Sequence, residues 1–172
     1  MSISSFFKGL FGSKQEEEPL DPKNNPYFEE VCVRVPATVQ GEETVIEVRW
    51  IKNSEAKVKG GQATFAFGTE TIPVVISSPT SEKFSMGINI TIDKALMPKF
   101  HEELKRLQDE GAVSERAKLS YNSEYKHAIF YRRSDAKAGN TDKWKTLVQG
   151  NMQGLIDDFV AVMPFVMGVY GE

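Results

Sequence analysis

The stretch Phe84-Ser-Met-Gly-Ile-Asn-Ile-Thr-Ile92 alternates strictly between apolar residues and small or polar residues. Successive side chains of a β-strand point to opposite faces, so all the apolar residues of this stretch share one face. A helix cannot gather them on one stripe, because its period is 3.6 residues. The stretch therefore predicts a strand in a sheet that is covered on one side and exposed to solvent on the other.

Further strands are predicted on both sides of this one. Alternating patterns occur at residues 27–35, 44–51, 62–67, 72–76, 113–121 and 126–133. Pro36 is expected to end the first of these strands, and the Gly60–Gly61 pair to precede the third. Pro73 predicts an edge position for the fourth, because proline cannot donate a ladder hydrogen bond. The turns between the first two and the last two segments favour antiparallel hairpins.

Two segments show helical spacing. Asp93 is a candidate cap, Pro98 fits only a first turn, and Gly111 is a stop signal, so a helix is predicted from about Met97. Thr141 is expected to cap a last helix that ends at Pro164, which leaves residues 165–170 as an extended apolar tail. Strands and helices do not alternate. The pattern predicts a single α+β domain, with a mainly antiparallel sheet and two helices packed on one face.

The first 26 residues differ from the rest in composition. Residues 12–26 carry three successive glutamates and three prolines with few apolar side chains. Such a composition is typical of a disordered linker. We therefore predict a flexible N-terminal tail at residues 1–26 and an α+β domain at residues 27–172.

The tail begins with a short apolar segment. Its apolar side chains recur at helical spacing and form one face: Ile3, Phe6, Phe7, Leu10 and Phe11. A helix this short is unstable alone in water, so it needs a surface to order against. That surface is a protein partner, a membrane or the protein's own domain. Phe6, Phe7, Leu10 and Phe11 are the candidate partner-binding residues, and the apolar tail at residues 165–170 is a second candidate contact.

Bulk composition excludes several classes of protein. The chain has 172 residues, a formal net charge of −3 and one cysteine, Cys32, so an internal disulfide and a cysteine-based zinc cluster are excluded. No run of about 18 apolar residues occurs, and the N-terminus lacks the features of a secretory signal. A cytoplasmic protein is the expectation.

Motifs of catalysis are weak or missing. The Gly60–Gly61 pair precedes a predicted strand and so does not match a phosphate-binding loop. The two histidines, His101 and His127, do not have metal-ligand spacing. Glu55 and Lys57 match part of a metal-dependent nuclease motif, but they lie in a polar connection. We predict a non-catalytic protein without a cofactor, a metal or a small-molecule substrate.

Charge is distributed unevenly. Residues 112–149 contain eight basic and four acidic residues, a net charge of +4, which leaves −7 for the remainder. Tyrosines are interleaved with these cations, a mixture typical of nucleic-acid surfaces. The candidate nucleic-acid-binding residues are Arg116, Lys118, Lys126, Arg132, Arg133 and Lys137. Alternation places Arg132 and Arg133 on opposite faces of a strand, and lysines that protect a sheet edge explain the same pattern.

Two functional hypotheses follow. The leading one is a cytoplasmic adaptor that engages a protein partner through its α+β body and its N-terminal apolar segment. The alternative is a nucleic-acid-associated accessory protein that uses the basic hairpin around residues 116–137. Asp157 and Asp158, late in the last helix, are expected on its solvated face.

Overall fold

The computed structural model describes residues 28–52, 57–134 and 139–171. These residues form one antiparallel sheet of seven strands and two α-helices, which confirms the predicted α+β class. The strands are β1 (Phe28–Val39), β2 (Glu42–Lys52), β3 (Val58–Phe67), β4 (Glu70–Ile76), β5 (Ser85–Thr91), β6 (Ala117–Asn122) and β7 (His127–Arg133). The helices are α1 (Met97–Asp109) and α2 (Thr141–Gly171), and a 3₁₀ turn (Lys94–Leu96) precedes α1.

The sheet order is β1-β2-β3-β4-β5-β7-β6. The first five strands follow each other in space as they do in the chain. After β5 the chain forms α1 and returns as the β6–β7 hairpin, in which β7 pairs with β5. Strands β1 and β6 are therefore the two edges of the sheet in the described part of the chain.

One face of the sheet is covered by the helices. Met86, Ile88 and Ile90 of β5 are fully buried on this face, as their alternation predicts. Helix α2 packs Phe159 edge-on against Phe65 and Phe67 of β3, with ring centroids 5.8 and 5.7 Å apart. These contacts lie in one continuous apolar core that both helices share.

The first turn of α2 is held to the sheet by Trp144. Its ring is fully buried, stacks on Trp50 at 4.6 Å, and its Nε1 donates a hydrogen bond to the Ser77 carbonyl at 2.6 Å. A Cβ at Gly61 would lie 2.6 Å from this ring, so only glycine fits below it. The Gly60–Gly61 pair is therefore inside β3, and the predicted break before that strand is wrong.

Two prolines interrupt the sheet less than the sequence predicts. β1 continues through Pro36 to Val39, because an edge strand has one side that needs no ladder bond. β4 lies between β3 and β5, so its predicted edge position is wrong. The registered pairs between β4 and β5 are confined to Val75 and Ile76, and Pro73 pairs with Thr64 of β3 alone. Pro73 therefore has a registered partner on one side only, like a residue of an edge strand, and its lack of an N–H is tolerated.

The helix boundaries also differ from expectation in part. α1 begins at Met97 with Pro98 in its first turn, as predicted, while Asp93 caps the 3₁₀ turn before it through the Ala95 N–H. α2 is capped by Asn140, whose Oδ1 accepts from the Lys143 N–H at 2.8 Å, and not by Thr141.

Helix α2 does not end at Pro164. The proline lies inside the helix, although a proline in a helix interior costs about 3 kcal/mol. The following turn is packed against the core: Val166 is fully buried, and the Phe165 ring lies 5.5 Å from that of Phe100 in α1. Burial of these side chains offsets the cost. The predicted extended tail is therefore wrong, and this turn belongs to the helix.

Among the described residues, neither α1 nor α2 has the combination of length and apolarity that a membrane-spanning helix needs.

Candidate binding surface

The uncovered face is the side of the sheet opposite α1 and α2. Its residues alternate along each strand with the core residues and are exposed or half-buried at most positions. A row of paired residues crosses this face from β3 to β6, in the order Gln62, Val75, Gly87, Tyr131 and Lys118. Because paired residues of neighbouring strands point to the same side, these side chains form one continuous surface.

The row passes through a depression at Gly87. The depression has a volume of about 330 Å³. It is lined by Val75, Ser77, Ser85, Gly87, Asn89, Ser120, Ile129, Tyr131 and Arg133. A Cβ at Gly87 would lie 3.2 Å from the Tyr131 Cβ and 3.3 Å from the Ile129 Cγ2, so a larger residue would fill the floor. The Gly87 depression thus exists because a side chain is missing from the middle of a strand.

Two aromatic groups lie near the two ends of β7, and the first of them, Tyr131, lines the depression. The Arg133 guanidinium carbon is 5.3 Å from the centroid of the Tyr131 ring, a cation–π distance. At the other end of the strand, the rings of Tyr125 and His127 are stacked, with centroids 5.9 Å apart and planes 13° apart. Ile129 lies between them on the same face. The surface therefore offers apolar and aromatic contact flanked by a cation.

The end of the uncovered face formed by β5, β6 and β7 carries positive charge. Its side chains are those of Ser85, Asn89, Thr91, Lys118, Ser120, Asn122, His127, Ile129, Tyr131 and Arg133. Within these three strands the face has two permanent cations, Lys118 and Arg133, and no acidic residue. At the β1–β2 end, by contrast, Glu47 forms ion pairs with Arg34 and Arg49.

Beneath the depression, a buried ion pair joins β7 to α2. Arg132 points to the covered face, and its Nη2 lies 3.8 Å from Asp158 Oδ2. Asp158 Oδ1 accepts a hydrogen bond from the Ser114 N–H at 3.0 Å. Asp158 is 5% exposed, so the expected solvated position is wrong for this residue and holds for Asp157. The ion pair therefore fixes the strand that carries Tyr131 and Arg133.

The surroundings of this pair are tight. A Cβ at Gly154 would lie 1.7 Å from the Arg132 Nη1, so glycine makes room for the guanidinium. Burial raises the pKa of the Asp158 carboxyl, and the Ser114 N–H and the Arg132 charge oppose this effect. Arg132 Nε and Asp158 Oδ2 have no hydrogen-bond partner within the described residues. The pair is thus a costly structural feature that packing holds in place.

The structure separates the predicted cationic residues into groups. Lys118 and Arg133 lie on the uncovered face, and Arg116 and Lys126 are exposed in the turns that flank β6. Arg132 is directed into the covered side and is committed to Asp158. Lys137 lies outside the described residues.

The other predicted sites have different outcomes. Phe6, Phe7, Leu10 and Phe11 lie outside the described residues, as does Glu55. In the apolar segment 165–170, Val166 is buried and Phe165 and Met167 pack against the core, so these three do not form a detached docking tail. Cys32 is half-buried, and its Sγ donates to the Val48 carbonyl at 3.2 Å.

The sequence contained one signal of the depression that motif searches miss. Gly87 takes a solvent-face position in the alternation but brings no side chain to it, and a glycine inside a strand often marks a close approach of backbone or ligand. Its neighbours across the strands, Val75 and Tyr131, become visible only with the register.

The described residues contain no group of three or more His, Cys, Asp or Glu side chains placed to hold a metal ion. Comparison of this chain with models of protein families, with curated proteins and with solved structures gives no match.

Proposed function

We propose that the protein is a non-catalytic, cytoplasmic adaptor that binds a protein partner through the uncovered face of its sheet. The N-terminal apolar segment, with Phe6, Phe7, Leu10 and Phe11, is proposed as a second contact. The contact on the body is the Gly87 depression and the residues around it.

One observation carries this proposal: in the part of the chain that the structure describes, no layer covers the second face of the seven-stranded sheet, and that face contains a depression with apolar and aromatic walls. Val75, at the margin of this depression, is 45% exposed. Protein interfaces combine such an apolar and aromatic centre with a polar rim, here supplied by Ser85, Asn89 and Ser120.

A matched pair of valines tests the surface. Val75 of β4 and Val45 of β2 both lie on the uncovered face, and Val45 is 57% exposed. Val75→Glu places a charge at the depression, whereas Val45→Glu places the same charge at the other end of the sheet. Each variant is used as bait in quantitative affinity capture. The partner is the protein that wild type enriches. The proposal is supported if Val75→Glu no longer captures this protein and Val45→Glu still does. Equal capture by the two variants contradicts it.

A truncation tests the second contact. Removal of residues 1–14 is expected to leave the melting temperature of the protein unchanged and to abolish partner capture. Unfolding of the truncated protein would show that the apolar segment is part of the core, and this part of the proposal would be wrong.

A nucleic-acid ligand is the second candidate, and the acid-free end of the uncovered face favours it. Tyr131 and the Tyr125–His127 stack offer surfaces for bases, while Arg133 and Lys118 offer phosphate contacts. A salt titration of binding to labelled 12-nucleotide DNA and RNA single strands tests it. This candidate is favoured if the affinity for nucleic acid falls steeply with salt, and if Arg133→Ala weakens that dependence whereas Arg34→Ala at the β1 end does not. No binding at low salt excludes it.

A further inference from the structure

The two edges of the sheet differ in their capacity to accept another strand. On β1, Pro36 has no N–H to donate. The Gln153 side chain from α2 bonds both backbone groups of Thr38. Its Nε2 donates to the Thr38 carbonyl and its Oε1 accepts from the Thr38 N–H, both at 2.8 Å. Register shifts near Val31 also distort this strand. Proline, bulges and covering groups are the usual means by which proteins block an edge, so β1 is closed.

The β6 edge is covered at its beginning and open beyond it. The Ala117 N–H donates to the Ser114 carbonyl at 3.1 Å, and the Ala117 carbonyl accepts from Gln108 Nε2 at 2.9 Å. These bonds show that the backbone groups of Ala117 point away from β7. In an antiparallel strand every second residue points the same way, so Leu119 and Tyr121 also face outwards. Their N–H and carbonyl groups have no partner among the described residues.

We infer that β6 pairs with β6 of a second copy of this chain, antiparallel and around a two-fold axis at Ser120. In this register Leu119 of each copy lies opposite Tyr121 of the other. Each of the two opposed pairs exchanges two backbone hydrogen bonds, so the outward groups of both residues are satisfied. The dimer joins two sheets of seven strands into one continuous sheet.

The charges along β6 fit this register. A two-fold axis at Ser120 places Arg116 of each copy near Glu124 of the other, and Lys118 opposite Asn122. Arg116, Lys118 and Glu124 are exposed, and Asn122 is half-buried. Unlike charges therefore meet twice, and like charges are not directly opposed. An axis at Leu119 would instead use Ala117, whose backbone groups are already bonded.

The side chains of Leu119 and Tyr121 also favour a second copy. Both lie on the covered side of the sheet and pack at the margin of the core, and Tyr121 is half-buried. Pairing would extend this apolar layer from one molecule into the next. The axis is perpendicular to the sheet, so both uncovered faces would lie on the same side. The two Gly87 depressions would then be about 28 Å apart, five strand spacings across the sheet and four residues along the strands.

A cysteine cross-link tests the register. In a Cys32→Ser background, Ser120→Cys places two thiols on the axis in a non-hydrogen-bonded pair, where opposed Cα atoms are about 4.5 Å apart, within the range of a disulfide. Lys118→Cys is the matched control on the same strand and face, because its copy would be about 14 Å away. Under mild oxidation, conversion of Ser120→Cys to a covalent dimer with Lys118→Cys remaining monomeric is expected. Equal cross-linking of the two variants, or none in either, overturns the inference.

Charge reversal tests the dimer without a cross-link. Sedimentation equilibrium of the full chain is expected to show a monomer–dimer equilibrium. Arg116→Glu and Glu124→Arg should each weaken dimerisation about tenfold, and the double variant should restore it. A wild-type protein that stays monomeric at millimolar concentration, or a double variant as weak as either single variant, contradicts the inference. If wild type is monomeric and Val75→Glu still abolishes partner capture, the dimer is refuted and the proposed function is retained.

Discussion

Two adjacent arginines of β7 show how different the two faces of the sheet are. Arg132 points to the helices, lies over Gly154 and is paired with the buried Asp158. Arg133 points to the uncovered face and lies beside the Tyr131 ring at the Gly87 depression. The residue type is the same, and the position in the alternation decides its role. One arginine holds the fold together, and the other is available to a ligand.

The same contrast extends over the whole sheet. The covered face is a continuous apolar core in which the largest side chains are fully buried. The uncovered face carries small polar residues, exposed valines and the aromatic groups of β7. Substitutions on the covered face should therefore change the free energy of unfolding, whereas substitutions near Gly87 should change binding and leave stability nearly unchanged.

The largest effect is expected at Trp144. Trp144→Ala removes a fully buried ring, its stacking on Trp50 and its hydrogen bond to Ser77. We expect a loss of about 3–5 kcal/mol in the free energy of unfolding, measured by urea denaturation. Tyr131→Ala on the uncovered face is the control, with an expected loss of about 1 kcal/mol. Similar losses in the free energy of unfolding for the two variants would mean that both faces contribute equally to stability, which contradicts the comparison.

The buried ion pair should give the next largest effect. Asp158→Ala leaves Arg132 buried without a counter-charge and the Ser114 N–H without its acceptor. The expected loss is about 3 kcal/mol in urea denaturation. Arg133→Ala, one residue from Arg132, should change stability by no more than about 0.5 kcal/mol. A larger loss for Arg133→Ala than for Asp158→Ala would reverse the roles assigned to the two arginines.

A smaller effect is expected from pH. Burial raises the pKa of Asp158, so the folded protein binds this proton more tightly than the unfolded chain does. Ionised Asp158 therefore stabilises the folded protein less than protonated Asp158 does. The stability of wild type relative to Asp158→Asn should rise as pH falls through the folded-state pKa towards the unfolded value of about 3.9. Urea denaturation of both proteins at each pH measures this difference. A relative stability that falls on acidification would contradict the assigned shift.

Local sequence patterns predicted the elements well where one principle acts alone. The alternation at residues 84–92 and the start of α1 at Met97 are both as expected. Predictions failed where distant residues outweigh a local preference. Pro164 stays inside α2 because the turn beyond it is buried against α1, which is far away in the chain.

The candidate site was predictable only in part for a related reason. The pattern placed Arg132 and Arg133 on opposite faces, but it could not identify which face the helices cover. Asp158 was misplaced because its hydrogen-bond partner Ser114 lies 44 residues away. The depression likewise depends on the register that brings Val75, Gly87 and Tyr131 together, and no single segment contains it.

Hydroxyl-radical footprinting of the protein with and without its captured partner tests the central claim most directly. Tyr131 lines the Gly87 depression, whereas Val45 lies on the same face at the β1–β2 end and serves as an internal reference. The account predicts that the partner lowers the oxidation of Tyr131 and Val75 and leaves that of Val45 unchanged. Unchanged oxidation of Tyr131 and Val75 in the complex would contradict it.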